Sequence, residues 1–528
     1  MYLYSIVNKD VMGRAVRKSL TRDRANLSFF IVIIFFAVFT AIVLTEIFLI
    51  DERGRGAAAR NSRYPPSRLH HEYEDAAPGA QPGEDYLVYH GESVPRHRPP
   101  PGPHSAAPEN LSRLPPLGNI SASAGSWQSV AGTRYKFFVF AAYYERRGQR
   151  AVRVIAATKT RGPERVWCRL WFHNATSLQP QSISVPGKVR VIRENWNLKY
   201  SACFVLCPLR GNQSVPGSVS VVSRLRVAPS NHLLVHAPSP TANITGQLAV
   251  CIKPLHYNYS QTLKLIEFIE LNSLLGVSHF VFYNHTCSAE VSCVLADYVA
   301  RQRLTVLPWR LDIASQTEIR TEGLFAALND CLYRTMYRFS HIALIDLDEF
   351  IVPRHNDTLQ EFIQWMGKRI NTRSTGSYSF QNAFFYLQWA DDFQKGRARD
   401  ALETNLVTLH KTRRRVKLHP HKQRSKYICR PELVVEAGNH FVWELVPGHG
   451  TLNVPPDAAI MHHYRVCEFG GNDCVKSASV VDRTLCRYRG RLLQAVGSQW
   501  NRSMALCDLP EVTPAPLLTT VTPLGPPS

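Results

Sequence analysis

The chain has 528 residues, room for two domains or one large domain with a tail, and its 45% hydrophobic content is ordinary for a globular protein. Its 62 Lys and Arg outnumber 41 Asp and Glu, which gives a formal charge of +21. Such a charge is typical of nucleic-acid-binding proteins, but no nucleic-acid-binding motif accompanies it. We therefore expect no nucleic-acid partner. Anionic glycans, anionic lipids or a nucleotide diphosphate fit the charge better.

Residues 27–50 form an apolar run whose only charged residue is Glu46. As a helix the run would be about 36 Å long, enough to cross a bilayer. It is too long for a cleaved signal peptide, and the polar segment before it is too extended. Six basic residues precede the run and three follow it closely. The positive-inside rule therefore predicts a single-pass type II protein with residues 1–26 as its cytoplasmic tail.

Two features of the remaining chain agree with a lumenal location. All twelve cysteines lie between Cys168 and Cys507, and an even number in an oxidising compartment predicts disulfides of unknown pairing. Nine glycosylation sequons also follow the apolar run. They begin at Asn110, Asn119, Asn174, Asn212, Asn243, Asn258, Asn284, Asn356 and Asn501.

Composition divides the lumenal part into four regions. Residues 51–130 are rich in Pro, Gly, Arg, Ser and Ala and are predicted to be a disordered stem. Residues 131–245 are predicted to be a small β-rich subdomain, because short apolar runs alternate with turn signals. Its candidate disulfide partners are Cys168, Cys203 and Cys207. Residues 246–507 form the next domain, and the Pro- and Thr-rich residues 508–528 are predicted to be disordered.

Strands and helices alternate in the 246–507 domain. Strands are predicted at 248–252, 279–283, 304–307 and 342–345, and helices at 260–275, 289–301 and 322–338. Ser260 is the expected N-cap of the first helix and Gly276 its stop signal. This spacing predicts an α/β fold with a mainly parallel sheet and covering helices. In such sheets ligands bind beyond the carboxyl ends of the strands.

One strand end carries an acidic cluster. The apolar residues 342–345 are followed directly by Asp346, Leu347, Asp348 and Glu349. Carboxylates cannot be buried unpaired, so they must face water, cations or a metal. In an extended segment Asp346 and Asp348 point to the same side, as two oxygen ligands for Mg²⁺ or Mn²⁺ would. The pattern is similar to the Asp-x-Asp motif of GT-A nucleotide-sugar glycosyltransferases. It also occurs by chance in surface loops, but its place at a strand end favours the metal interpretation.

Later segments add further candidates. Residues 376–386 are predicted to be one strand that leads to Asp391 and Asp392. The basic segment 410–430 is either a solvated loop or a lid that neutralises a diphosphate. Beside a carboxylate motif, His440 or His463 becomes a possible third metal ligand.

Several segments together resemble glycosyltransferase family 92, over roughly residues 135 to 500. They are 251–255, 276–283, 329–332, 345–350, 426–431, His440 and 463–465. The resemblance implies a Golgi enzyme of GT-A fold that uses Mn²⁺ or another divalent cation and UDP-galactose. It implies transfer of β-linked galactose, β-1,4 and with inversion, to terminal galactose or fucose of glycoprotein N-glycans.

The matched segments supply candidate nucleotide-sugar contacts, namely Lys253, Tyr283, Lys426 and Arg465. An inverting transfer also needs a base on the acceptor hydroxyl. Asp391 or Asp392 is the candidate, because the pair follows an aromatic strand; a solvent-facing pair that caps a turn is the alternative.

Two other functions compete. The first is a noncatalytic glycan-binding membrane protein on a degenerate GT-A scaffold, and the second is a metal-dependent hydrolase. Retention of both Asp346 and Asp348 favours an enzyme over a lectin. A hydrolase would show a denser His/Asp cluster.

Overall fold

The computed structural model describes residues 115–172, 181–211, 213–237, 245–392, 401–467 and 473–516. The predicted membrane span 27–50, most of the predicted stem and the last twelve residues lie outside these ranges. Within the described ranges, no helix is both long enough and apolar enough to cross a membrane.

The first eight strands form one sheet in the order β1-β2-β3-β6-β5-β4-β7-β8, and β2 also pairs with β8, which closes the sheet into a barrel. The strands are β1 Gln128–Ser129, β2 Phe138–Glu145, β3 Ala151–Lys159, β4 Val166–Phe172, β5 Gln181–Val191, β6 Tyr200–Pro208, β7 Ser218–Val222 and β8 Leu233–His236. Alternate apolar side chains fill the barrel interior. A disulfide between Cys168 and Cys207 joins β4 to β6, whereas Cys203 is a buried free thiol.

A seven-stranded sheet follows, in the order β11-β10-β9-β12-β17-β14-β20. Its strands are β9 Thr245–Cys251, β10 Val277–Asn284, β11 Leu304–Pro308, β12 Phe339–Leu344, β14 Thr375–Phe380, β17 Lys426–Cys429 and β20 Gly450–Asn453. Strands β11, β10, β9 and β12 run parallel to one another, and only β17 is antiparallel to both of its neighbours, β12 and β14. The carboxyl ends of β9, β10, β11 and β12 therefore share one edge. The predicted mixed α/β fold is confirmed.

Helices cover both faces of this sheet. They are α1 Thr262–Leu274, α2 Ala289–Ala300, α3 Leu324–Thr335, α4 Leu359–Arg369, α5 Ala401–Asn405, α6 Val407–His410 and α7 Arg489–Cys507. One apolar core includes α1, α2 and α7, and a second places α3 between the sheet and the barrel. The barrel and the α/β region thus share a core.

The first residues of two helices differ from the sequence prediction. The N-cap of α1 is Gln261 rather than Ser260, and its side chain makes no capping hydrogen bond. Gly276, with φ +97°, does follow the end of α1 in the left-handed conformation that glycine permits. The third helix begins at Leu324 instead of residue 322, because Glu322 and Gly323 have left-handed backbones.

The predicted strand 376–386 is wrong, because it is two strands in different sheets. β14 ends at Phe380 and pairs with β17, whereas β15 Asn382–Tyr386 pairs with β21 Ala459–Arg465. β21 also pairs with β13 Glu349–Pro353, which completes a three-stranded sheet. Residue alternation could not show this division, since both halves are extended and buried.

Two short ribbons complete the fold. β16 Arg413–Arg415 pairs with β22 Ser479–Val481, and β18 Val434–Ala437 pairs with β19 Val442–Leu445. The basic segment is also tied to β15, because the backbone N–H of His419 donates to the carbonyl of Asn382 at 2.9 Å. Secondary structure and backbone hydrogen bonds therefore hold this segment in place.

The prediction of disulfides is confirmed. Besides the barrel disulfide, Cys251 bonds to Cys331, Cys293 to Cys507, and Cys467 to Cys474. The Cys293–Cys507 bond joins α2 to the last residue of α7. The remaining free thiols in the described chain are those of Cys287, Cys429 and Cys486.

Candidate active site

The acidic cluster lies on the turn between β12 and β13. β12 ends at Leu344 and β13 begins at Glu349, so Asp346 and Asp348 are outside both strands. The Glu349 N–H donates to the Asp346 carbonyl at 3.1 Å, and the Asp346 N–H donates to the Glu349 carboxylate at 2.9 Å. The strand alternation assumed from the sequence does not apply to a turn. The two aspartates consequently have different neighbours.

Asp346 is held between two lysines. Lys253 Nζ lies 3.4 Å from its Oδ1, and Lys426 Nζ lies 3.0 Å from its Oδ2. Lys426 is 1% exposed and also lies 3.5 Å from the Glu349 carboxylate. Burial alone would raise the pKa of Asp346, but the two ammonium groups outweigh it and lower that pKa well below its usual range. Burial raises the pKa of Glu349 to about 7, against the opposing effect of Lys426.

The fold explains why these residues meet. Lys253 follows β9 and Lys426 opens β17, and both strands pair with β12. The structure therefore brings Lys253, Lys426 and Asp346 together, because the ends of these three neighbouring strands meet.

Asp348 has a histidine partner. His463 Nε2 lies 3.1 Å from Asp348 Oδ2, and His463 Nδ1 lies 3.4 Å from the Glu349 carboxylate. This contact follows from the register of β13 and β21, in which Glu349 is opposite His463. Burial would lower the pKa of His463, but Asp348 and Glu349 raise it. His440 has other contacts: its Nδ1 is 3.2 Å from the Ser425 carbonyl oxygen, and its Nε2 is 3.2 Å from Asn439 Nδ2.

The donor set fits a divalent cation only in part. Among the described residues, no three His, Cys, Asp or Glu side chains form a group that could hold a metal. Mg²⁺-type sites, however, often use one or two carboxylates and complete their shell with substrate phosphates and water. The Asp348 side chain is 35% exposed and could serve in this way beside His463. Both oxygens of Asp346 already face lysines.

Two other predicted nucleotide-sugar residues lie in different surroundings. Tyr283 is completely buried, and its hydroxyl donates to Asp330 Oδ2 at 2.7 Å. The Tyr283 surface is therefore closed to a ligand in this structure. Arg465 ends β21, two residues from His463, and its guanidinium carbon lies 5.2 Å from the centre of the Phe384 ring.

The candidate base residues follow β15. Asp391 Oδ1 lies 2.8 Å from His410 Nδ1 and 2.6 Å from Lys411 Nζ. Asp392 accepts from Thr412 Oγ1 at 2.6 Å and from Arg483 Nε at 2.8 Å. The hydrogen bond from Arg483 lowers the pKa of Asp392, while burial opposes this. Both carboxylates are thus ion-paired, and their role as base stays a prediction.

A shallow, open cavity of about 320 Å³ lies at the carboxyl ends of β10 and β11, and sequence reasoning missed it. His285, Thr286, Arg310, Leu311 and Asp312 line it. The backbone N–H groups of His285 and Thr286 donate to the Leu255 carbonyl, two residues beyond Lys253. The cavity therefore adjoins the segment that supplies a lysine to Asp346. Its lining residues lie two to five positions beyond predicted strands, which was the signal available in the sequence.

The ring of His285 has a buried partner. His285 Nε2 lies 3.4 Å from Glu322 Oε2, on the segment where Thr321, Glu322 and Gly323 all have positive φ. Because a non-glycine residue rarely adopts positive φ, this backbone is strained. Such strain is common at binding sites.

Relatives of known sequence cover parts of this chain. Over 109 residues it is 27% identical to the beta-1,4-galactosyltransferase galt-1 of Caenorhabditis elegans. The aligned residues make up 20% of this chain and 25% of the relative. Over 159 residues it is 23% identical to a glycosyltransferase family 92 protein of the same nematode. The aligned residues make up 28% of this chain and 31% of that relative. The chain thus spans about a quarter to a third of the length of these curated relatives.

Solved structures are only distantly similar. Glucosyl-3-phosphoglycerate synthase from Mycobacterium tuberculosis in complex with phosphoglyceric acid is 13% identical, with a TM-score of 0.22 over 52% of this chain and 87% of that one. The same enzyme with Mn²⁺, uridine diphosphate and glucosyl-3-phosphoglycerate gives a TM-score of 0.21 at the same identity and coverage. Structural similarity with TM-scores this low does not bear on function.

The family resemblance noted in the sequence is confirmed over the α/β region. The matched range contains the acidic turn, both lysines, the cavity and His463. Residues 246–495, just under half of the chain, match the model of glycosyltransferase family 92, so the similarity to that family covers the α/β region.

Proposed function

We propose that this protein transfers galactose from UDP-galactose in β-linkage to terminal sugars of glycoprotein N-glycans. The observation that carries the proposal is the acidic turn at the carboxyl end of β12, on the same sheet edge as a cavity, within the residues that match glycosyltransferase family 92. The name of the nematode relative supports galactose and a β-1,4 linkage. Terminal galactose or fucose is the acceptor that the family resemblance implies.

The donor is proposed to lie across the shared strand edge. The cavity beside His285 is suited to the nucleoside, because it lies at the carboxyl ends of parallel strands. Lys253 and Lys426 hold positive charge 3.4 Å and 3.0 Å from the Asp346 carboxylate oxygens and would offset the charge of departing UDP. We assign these two lysines to the diphosphate side of the donor.

Asp348 would hold a divalent cation, such as Mn²⁺, together with donor oxygens. When bound, the cation supplies Lewis-acid stabilisation of the leaving diphosphate. His463 orients the Asp348 carboxylate through the 3.1 Å contact, and Glu349 holds His463 from the other ring nitrogen. The acceptor proton is assigned to the Asp391–Asp392 pair, on the segment that follows β15.

A donor screen with site variants tests the proposal. We expect UDP-galactose to be used faster than UDP-glucose or UDP-N-acetylglucosamine, and the product to be a β-linked terminal galactose. Asp348→Asn should lower kcat at least about a hundredfold, because it would weaken the hold on the cation that stabilises the charge developing on UDP. Asp473→Asn is the matched control, because that carboxylate is 72% exposed and pairs only with Lys476 in the described chain.

Full activity of Asp348→Asn, or of the protein in EDTA, would refute the proposed metal site. Binding of galactose-terminated glycans without any turnover of a UDP-sugar would refute the enzyme proposal and support the glycan-binding alternative.

We further propose that the protein is a single-pass type II protein of the Golgi membrane. The apolar run 27–50, the basic residues before it and the sequons after it support this location. Treatment with an N-glycosidase should lower the mass of the full-length protein substantially. An unchanged mass, or protection of the N-terminus from protease in sealed microsomes, would contradict it.

A further inference from the structure

The barrel contributes an exposed tryptophan on the loop between β5 and β6. Trp196 is 39% exposed, and the guanidinium carbon of Arg320 lies 4.2 Å from the centre of its ring. Arg320 belongs to the α/β region and also donates to Gln316 Oε1 at 3.1 Å. The indole ring is therefore supported on one side by a cation from the catalytic region.

The loop that carries Trp196 is held in an unusual backbone conformation. Trp196 and Asn197 have φ values of 55° and 53°. A bulky non-glycine residue in this region is a rare outlier, which persists only when its surroundings fix it. Here the fixing contacts are those of Asn195, whose side chain donates to the Ile192 carbonyl at 3.2 Å and accepts from the Asn197 N–H at 3.0 Å.

The same loop adjoins the acidic site. Glu194 Oε2 accepts from the Asn439 N–H at 2.9 Å, and Asn439 Oδ1 accepts from Lys426 Nζ at 2.8 Å. Lys426 in turn pairs with Asp346. Trp196 follows Glu194 by two residues, so their Cα atoms are at most about 7 Å apart. On its other side, Arg320 precedes the Glu322 that pairs with the cavity residue His285.

An exposed ring in this position is unexplained by packing. Burial of the rest of the indole would be favourable, yet 39% of its surface faces solvent. A pyranose ring has an apolar C–H face and a polar rim, so it can stack on a flat indole while its hydroxyls bond to neighbouring amides and guanidinium groups. Asn197, which accepts from Arg161 at 3.3 Å, lies next to the ring and offers such polar groups.

We propose that Trp196, supported by Arg320, is a stacking platform for a neutral sugar residue of the acceptor glycan. The proposal rests on the glycosyltransferase function proposed above, and it assigns to the barrel a share in acceptor binding. Trp196 would bind the acceptor without taking part in the transfer step.

The test uses the full chain and its Trp196→Ala variant with a galactose-terminated biantennary N-glycan. We expect the acceptor KM, and the Kd for the glycan in the absence of donor, to rise about tenfold, as loss of one aromatic stacking contact predicts. The Kd for UDP should not change. Trp196→Phe keeps a ring and should restore most of the affinity. Leu234→Ala removes a side chain that is 42% exposed on the barrel and should have no effect.

The platform is refuted if Trp196→Ala stays within about twofold of the parent chain in both glycan measurements. It is also refuted if Trp196→Ala weakens UDP binding by as much as glycan binding, because the effect would then be a general disturbance. Absence of any transfer by the parent chain would refute the enzyme function instead. The glycan Kd of Trp196→Ala would still decide the platform.

Discussion

Lys426 is expected to stabilise the fold as well as the site. The Coulomb attraction between Lys426 Nζ and Asp346 Oδ2 across 3.0 Å is about 5.5 kcal/mol at an effective dielectric constant of about 20. Removing one partner of a buried pair typically destabilises a protein by about 3–5 kcal/mol, because the other charge stays buried. Lys426→Met keeps a similar volume, and Lys253 still faces Asp346. We therefore expect a loss near the lower limit, about 3 kcal/mol.

The assay is urea unfolding at pH 7.5, followed by tryptophan fluorescence and by circular dichroism to check that the two probes coincide. Lys422→Met is the matched control, since Lys422 is an exposed lysine of the same segment whose Nζ lies 5.9 Å from the centre of the Phe441 ring. Its effect should stay within about 0.5 kcal/mol. The double variant Lys426→Met with Asp346→Asn should be less destabilised than the sum of the single variants.

A Lys426→Met variant as stable as the Lys422→Met control would contradict the electrostatic reasoning. Strict additivity in the double variant would do so as well, because it would show that Lys426 does not compensate the Asp346 charge.

Three further predictions concern stability. Burial lowers the pKa of His341 to about 4. The contribution of neutral His341 to stability is therefore complete above pH 6.5 and is lost as the pH falls toward about 4. His341→Gln should flatten this part of the pH–stability curve, measured by urea unfolding, by up to about 1.4 kcal/mol per pH unit. In Gly276→Ala, the new Cβ would collide with the Gln360 side chain, and residue 276 has a φ of +97° that alanine rarely adopts. The unfolding free energy should therefore fall by at least about 1 kcal/mol. An unchanged thermal midpoint would refute this. Removing the Cys293–Cys507 bond with Cys293→Ser should cost about 2–5 kcal/mol in oxidising buffer, and the difference from the parent chain should vanish in dithiothreitol.

Much of the α/β region could be predicted from the sequence. Local hydrophobic periodicity identified the strands beginning near Leu248, His279 and Leu304, and the helices between them, because neighbouring residues alone determine that pattern. The acidic turn was also recognisable, since the apolar run at Ile342 stops abruptly at charged residues. The family resemblance rested on such short segments in order.

Partners distant in sequence could not be predicted. Lys253 and Lys426 are 173 positions apart, and only the order of β9, β12 and β17 places them on the two oxygens of Asp346. The predicted strand 376–386 failed for the same reason, because its two halves pair with different sheets. Disulfide pairing likewise depends on spatial distance, which cysteine spacing does not give.

The sequence by itself determined the α/β alternation, the acidic strand end and the family resemblance, since these depend on local composition and order. Tertiary structure decided which charges compensate which carboxylates and that a barrel loop bearing Trp196 adjoins the acidic turn. The physical reason is that burial, ion pairing and sheet register are set by contacts between residues far apart in the chain, and no local pattern encodes those contacts.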